Sequence, residues 1–122
     1  MKNSYALITG ASSGIGLEIA KNLAGIGYNL ILTARRTELL ELLAKEITDK
    51  NNVHVDLISK DLSNYEAPKD IFEFCESKNY HVDILVNNAG YGIKTSFHET
   101  SVEIEEDFIR VLGTSVIMLT KL

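Results

Sequence analysis

Cysteine is almost absent. Cys75 stands alone, so no internal disulfide framework and no cysteine-rich zinc site is available. His54, His81 and His98 share no metal-ligand spacing with it or with one another, which predicts packed, solvated or hydrogen-bonded rings and no metal. Proline is limited to one residue and glycine to eight of 122, which argues against disorder and excludes a fibrous repeat. Positive charge is in deficit, and a formal net charge of −5 argues against a nucleic-acid surface. The longest early apolar run, residues 5–8, is too short for a signal peptide or a membrane span. The sequence has no internal repeat, low-complexity segment or linker. What it does have is 45% apolar and 24% charged residues, enough for one domain over residues 1–122 with a buried core. The expectation from composition is a cytoplasmic globular protein without nucleic-acid or membrane partners.

Strand-like and helix-like segments alternate along the chain. Residues 5–8 form an apolar run ending in Thr9-Gly10 and predict a buried strand. Ile15, Ile19, Leu23 and Ile26 then recur at helical spacing, with Gly27 as the stop. Residues 30–33 predict a second strand, and Thr37 the cap of a helix whose apolar face carries Leu39, Leu43 and Ile47 beside Leu40. Val53, Val55 and Leu57 alternate with His54 and Asp56, the period of a strand with one exposed face at a sheet edge. Pro68 opens a third helix with Ile71, Phe72, Phe74 and Cys75 on its apolar side. Residues 82–86 predict a fourth strand, and a last helix starts near Ser101. This order predicts an α/β fold: a parallel sheet with strand order 3-2-1-4, flanked on both faces by crossover helices.

The first strand joins the first helix through Thr9-Gly10-Ala11-Ser12-Ser13-Gly14-Ile15-Gly16. Gly10 permits a tight turn, Gly14 lets backbone approach a phosphate, and Gly16 allows close helix–sheet packing. A helix N-terminus there offers N–H groups and partial positive charge to a pyrophosphate. This loop, together with Asn87-Asn88-Ala89-Gly90 after the fourth strand, resembles the short-chain dehydrogenase/reductase family, and the resemblance covers the whole chain. It implies a Rossmann-type sheet and NAD(P)-dependent oxidation of alcohols or reduction of carbonyls. It also implies a dinucleotide held by Gly10, Ser12, Ser13, Gly14, Ile15 and Gly16 of the loop and by Asn88, Ala89 and Gly90. Asp61-Leu62 match the family's acid-plus-apolar pair near the adenine, with the carboxylate accepting from the amino group; a plain turn aspartate is the other reading of Asp61.

The end of the second strand bears on cofactor choice. An NAD-preferring site places an acid there for the ribose 2′-hydroxyl. This sequence has Ala34, followed by Arg35 and Arg36. A guanidinium pairs well with a 2′-phosphate, and two arginines at a helix start suit an anion. The site is therefore expected to take NADP(H) over NAD(H), unless Arg35 and Arg36 are simply solvated partners of Glu38 or Glu41.

The sequence has no counterpart, after its last helix, of the family's fifth strand, catalytic Ser and Tyr-x-x-x-Lys. The match at Tyr65 to Lys69 contains Pro68, which keeps Tyr65 and Lys69 off one helical face. No catalytic residue is assigned, and the chain is expected to hold the cofactor without turnover, as the N-terminal portion of an oxidoreductase. The alternative is a non-catalytic nucleotide-binding or interaction module. The helix position where relatives often carry a relay asparagine holds Leu112 in one register and Arg110 in another. Phe108, Val111, Leu112, Val116 and Leu119, widened by Ile109, Ile117 and Met118, make that helix apolar over most of its girth. The expected consequence is self-association through it, relieved by lysine at Val116 and Leu119.

Overall fold

The computed structural model describes residues 4–122. Four strands alternate with helices: β1 (Ser4–Thr9), α1 (Gly14–Gly25), β2 (Asn29–Ala34), α2 (Thr37–Lys50), β3 (Val55–Ser59), α3 (Ala67–Ser77) and β4 (His81–Val86). A 3₁₀ turn (Phe97–Glu99) leads to α4 (Val102–Ile109), which runs through a wide π-helical segment (Arg110–Thr114) into α5 (Ser115–Lys121). All pairings are parallel and the sheet order is β3-β2-β1-β4, as the alternation predicts.

Each strand of the sheet's centre is buried on both faces. Ala6, Ile8, Leu30 and Leu32 point into a core closed by Ala20 and Ala24 of α1 and Leu40, Leu43 and Ile47 of α2. Tyr5, Leu7 and Ile31 point the other way, against Ile71 and Cys75 of α3, Val111 and Leu119. Strand alternation thus builds two cores from one sheet.

The inward face of α1 departs from the expectation. Ile15 and Ile26 are exposed, at 73% and 69%, and Gly16, Ala20 and Ala24 face the sheet. Small side chains at i, i+4 and i+8 let the helix approach closely, while Leu17, Ile19 and Leu23 pack at its flanks. Thr37 is the first residue of α2 and does not cap it; the cap position is Arg36, without a side-chain bond. Ser101 does cap α4, its hydroxyl accepting from the Ile104 N–H at 3.2 Å.

The face of β3 expected to meet solvent is partly covered by aromatic rings: His54 is exposed, whereas Asp56 is half-buried. Tyr5 and Tyr80 stack at 4.0 Å between centroids, and Tyr5 Oη shares a 3.0 Å hydrogen bond with His54 Nδ1. Tyr80 Oη donates to Asp56 Oδ2 at 2.8 Å. Burial, reinforced by that bond to a carboxylate, pushes the Tyr80 pKa well above the ordinary tyrosine value. Because the folded pKa is raised, the fold favours the neutral hydroxyl. Its contribution is complete at neutral pH and fades as pH rises past about 10. Tyr80→Phe should therefore lower stability at neutral pH by about 0.5–1.5 kcal/mol and flatten the alkaline decline seen in denaturation at increasing pH.

The last helix splits the apolar stripe in two. Val111 and Leu119 are buried against the sheet, with Ser115 between them donating to the Val111 carbonyl at 2.8 Å. Ile109, Leu112 and Ile117 face outward. Leu119 is therefore a core residue and cannot serve as the exposed position where lysine would relieve association.

Candidate functional site

The C-terminal ends of the four strands open into a cleft of ≈ 620 Å³, a size suited to a small-molecule ligand. It is lined by Gly10, Ser12, Ser13 and Ile15 from the loop after β1, by Arg35 and Arg36 after β2, and by Asp61 and Leu62 after β3. Asn88, Ala89 and Gly90 line it after β4. Four loops separated by up to 80 residues thus bring together eleven of the thirteen positions singled out from the sequence, and the others, Gly14 and Gly16, stand at the start of α1.

The loops after β1 and β4 are locked to one another. Asn88 Nδ2 donates to the carbonyls of Thr9 and Gly10, at 3.2 and 3.0 Å. The N–H groups of Asn88 and Ala89 donate to Thr9 Oγ1 at 3.0 and 2.9 Å, and Thr9 Oγ1 donates to the Val86 carbonyl at 3.4 Å. The amide of Asn88 is therefore committed to holding the loop.

The glycines divide by the reason each is required. Gly10 has φ +63°, and a Cβ there would lie 2.9 Å from Ala89 Cα. At Gly16 a Cβ would meet Asn88 Nδ2 and the Gly10 carbonyl, so this glycine makes room for the Asn88 clamp. Gly14 has φ +60° and open space before it, with nothing within 4 Å of a Cβ. It opens the N-terminus of α1, whose cap residue Ser13 makes no side-chain capping bond.

Charge is distributed unevenly around the cleft. Among the described residues, neither Arg35 nor Arg36 has an ion-pair partner, so the pairing with Glu38 or Glu41 is not formed. The Arg35 carbonyl accepts from Ser59 Oγ at 3.1 Å, tying the end of β2 to β3. Lys60 also lines the cleft and pairs with Asp70 of α3 at 3.0 Å. Asp61 spends one oxygen on a turn, accepting from the Ser63 N–H at 2.9 Å. Across the cleft, Tyr91 lies edge-on to Phe108 at 5.5 Å. Desolvation, with Asp107 nearby, raises the Tyr91 pKa.

Several lining residues escaped the sequence. Lys60, Asp107 and Val111 carry no motif, and Val111 belongs to the apolar stripe of the last helix. Thr33 lines the cleft too, and nothing in a strand-end threonine announces that its hydroxyl is left without a partner. The two candidate positions on the last helix make different contacts. Arg110 turns to Glu106 and Asp107, at 3.9 and 3.6 Å. Leu112 reaches Gly90, where a Cβ would lie 2.8 Å from Leu112 Cδ2. Hydrocarbon therefore stands against the loop after β4.

A family model described as short chain dehydrogenase matches residues 4–122. The very-long-chain 3-oxoacyl-CoA reductase of Vanderwaltozyma polyspora is 37% identical over 126 residues, which take in 98% of this chain and 35% of that protein. The fatty acyl-CoA reductase of Acinetobacter baylyi is 38% identical over 112 residues, 92% of this chain and 37% of that one. Among solved structures, a short-chain dehydrogenase from Sphingobium yanoikuyae in complex with NADPH superposes with a TM-score of 0.88 at 32% identity, covering 97% of this chain and 46% of that one. The chain spans about a third of the length of these curated relatives and about half of that solved structure.

Proposed function

We propose that this chain, which belongs to the short-chain dehydrogenase family, is the cofactor-holding part of an NADP(H)-dependent oxidoreductase acting on a carbonyl or alcohol. Residues 1–122 act as a single dinucleotide-binding domain. The names of the curated relatives, both reductases, support carbonyl reduction as the direction. The observation that carries the reading is the pair Arg35 and Arg36. They sit at the cleft without ion-pair partners among the described residues, beside Ala34 where an acid would repel a 2′-phosphate.

The remaining residues fit the same group. Open space before Gly14 leaves room for phosphate at the α1 N-terminus, where Ser12, Ser13, Ile15 and Gly16 supply or shape backbone donors. Asp61 and Leu62 offer an acceptor and an apolar face to the adenine, and Asn88, Ala89 and Gly90 border the ribose side. The bound nicotinamide supplies the hydride-carrying carbon. The chain's own residues bind, orient and discriminate.

Arg35→Ala should weaken NADPH binding by about 1.5–3 kcal/mol, the worth of a charged hydrogen bond, and leave NADH nearly unchanged. Calorimetric titration of both cofactors reads this directly. Equal losses would overturn the assignment.

One observation favours a second reading, a dinucleotide-binding module without turnover: Leu112, with no polar group, stands against Gly90. Steady NADPH oxidation by the gene's full product with a panel of ketones would remove that reading. Self-association belongs to the same proposal, through the outward residues Ile109, Leu112 and Ile117.

A further inference from the structure

Two threonines stand side by side at the ends of the two central strands. Thr9 of β1 and Thr33 of β2 are register partners, and each is 1% exposed. Leu7 and Ile31, two residues earlier, belong to the core beneath α3 and α5, so alternation puts both threonines on that face. Their hydroxyls have opposite fates. Thr9 Oγ1 makes three hydrogen bonds, to Val86, Asn88 and Ala89. Thr33 Oγ1 is closed to solvent and has no hydrogen-bond partner. A valine would fill the same volume without the desolvation cost of an unpaired hydroxyl.

Thr33 also lines the cleft. Apart from Thr9, its neighbours on that face are apolar: Ile58 is its register partner on β3, and Leu62 and Val111 share the core beneath. Asp61 supplies a carboxylate next to Leu62. An apolar slot with one carboxylate and one hydroxyl suits a flat heteroaromatic base that carries an amino group and ring nitrogens.

We propose that the Thr33 hydroxyl is held for the ligand, as the hydrogen-bonding contact that seats the adenine base between Leu62 and Val111. This rests on the dinucleotide reading above. A threonine hydroxyl both donates and accepts, so it serves a ring nitrogen as a donor. Turning χ1 between staggered wells redirects it without moving the strand. The strand itself is paired on both sides, by β1 and β3, so the contact is mounted on a rigid element.

The test uses Thr33→Val and Thr33→Ser in the full chain, with two readouts of opposite sign. Unliganded Thr33→Val should melt at a higher temperature than the wild type, because it loses an unpaired buried hydroxyl. Its affinity for NADPH and for adenosine 2′,5′-bisphosphate, which lacks the nicotinamide, should fall by the same factor, about 3–10-fold. Thr33→Ser keeps the hydroxyl and should bind both ligands as the wild type does. Unchanged affinities in Thr33→Val, or a lower melting temperature without ligand, would overturn the proposal. A wild-type chain that binds neither ligand would remove the dinucleotide reading itself, and the Thr33 contact with it.

Discussion

Gly16→Ala should destabilise the chain by about 2–4 kcal/mol, through overpacking and the loss of buried hydrogen bonds together. Its Cβ would lie 2.6 Å from the Gly10 carbonyl oxygen, which is backbone and cannot swing aside. The Asn88 amide stands in the same place and would be pushed off the Thr9 and Gly10 carbonyls it serves. The loops after β1 and β4 would then separate, so dinucleotide affinity should fall with stability. Gly14→Ala is the control. It meets nothing within 4 Å and suffers only its left-handed backbone, a penalty of about 1–2 kcal/mol. Urea denaturation of the pair gives the ranking, and a Gly14→Ala variant less stable than Gly16→Ala would refute the clamp.

The second large effect separates two neighbours on one helix. Leu119 is buried against Leu7 and Ile71. Leu119→Lys should lose at least what a leucine truncation loses, about 2–5 kcal/mol, with a buried charge in addition. Ile117, two residues away, is 64% exposed, and Ile117→Lys should change stability by no more than about 0.5 kcal/mol. It should also shift the chain toward monomer in sedimentation if the outward stripe drives association. A well-folded Leu119→Lys chain would contradict the packing described here.

The sheet order was legible because strand and helix periods alternate cleanly and because Val53 to Leu57 alternate as an edge strand does. The loop glycines and Asn87 to Gly90 announced the site, since close backbone approach restricts residue choice at a few fixed positions. Other features are set by tertiary contact and leave no periodic trace. Helix α1 turns Gly16, Ala20 and Ala24 inward, while a reading of large apolar residues selects Ile15 and Ile26, which face out. His54 does stay exposed, as the wet side of an edge strand should, but Asp56 looks equally wet until Tyr80, distant in sequence, bonds to it and half-buries it. The orphaned hydroxyl of Thr33 is visible only when every neighbour is known.

The stacked tyrosines have an optical consequence. The chain contains no tryptophan and five tyrosines, so its near-ultraviolet spectrum is a tyrosine spectrum. Tyr5 and Tyr80 lie 4.0 Å apart at 25° between ring planes, close enough for their transitions to couple in a chiral setting. One ring belongs to β1, the other to the turn entering β4, and both bond to side chains of the β3 segment. The Tyr5–Tyr80 contribution to near-ultraviolet circular dichroism therefore reports on the joining of three chain segments at the end of the sheet opposite the cleft. Tyr91, which lines the cleft, contributes to the same spectrum, so a Tyr91→Phe chain separates the signal of sheet assembly from that of what binds above it.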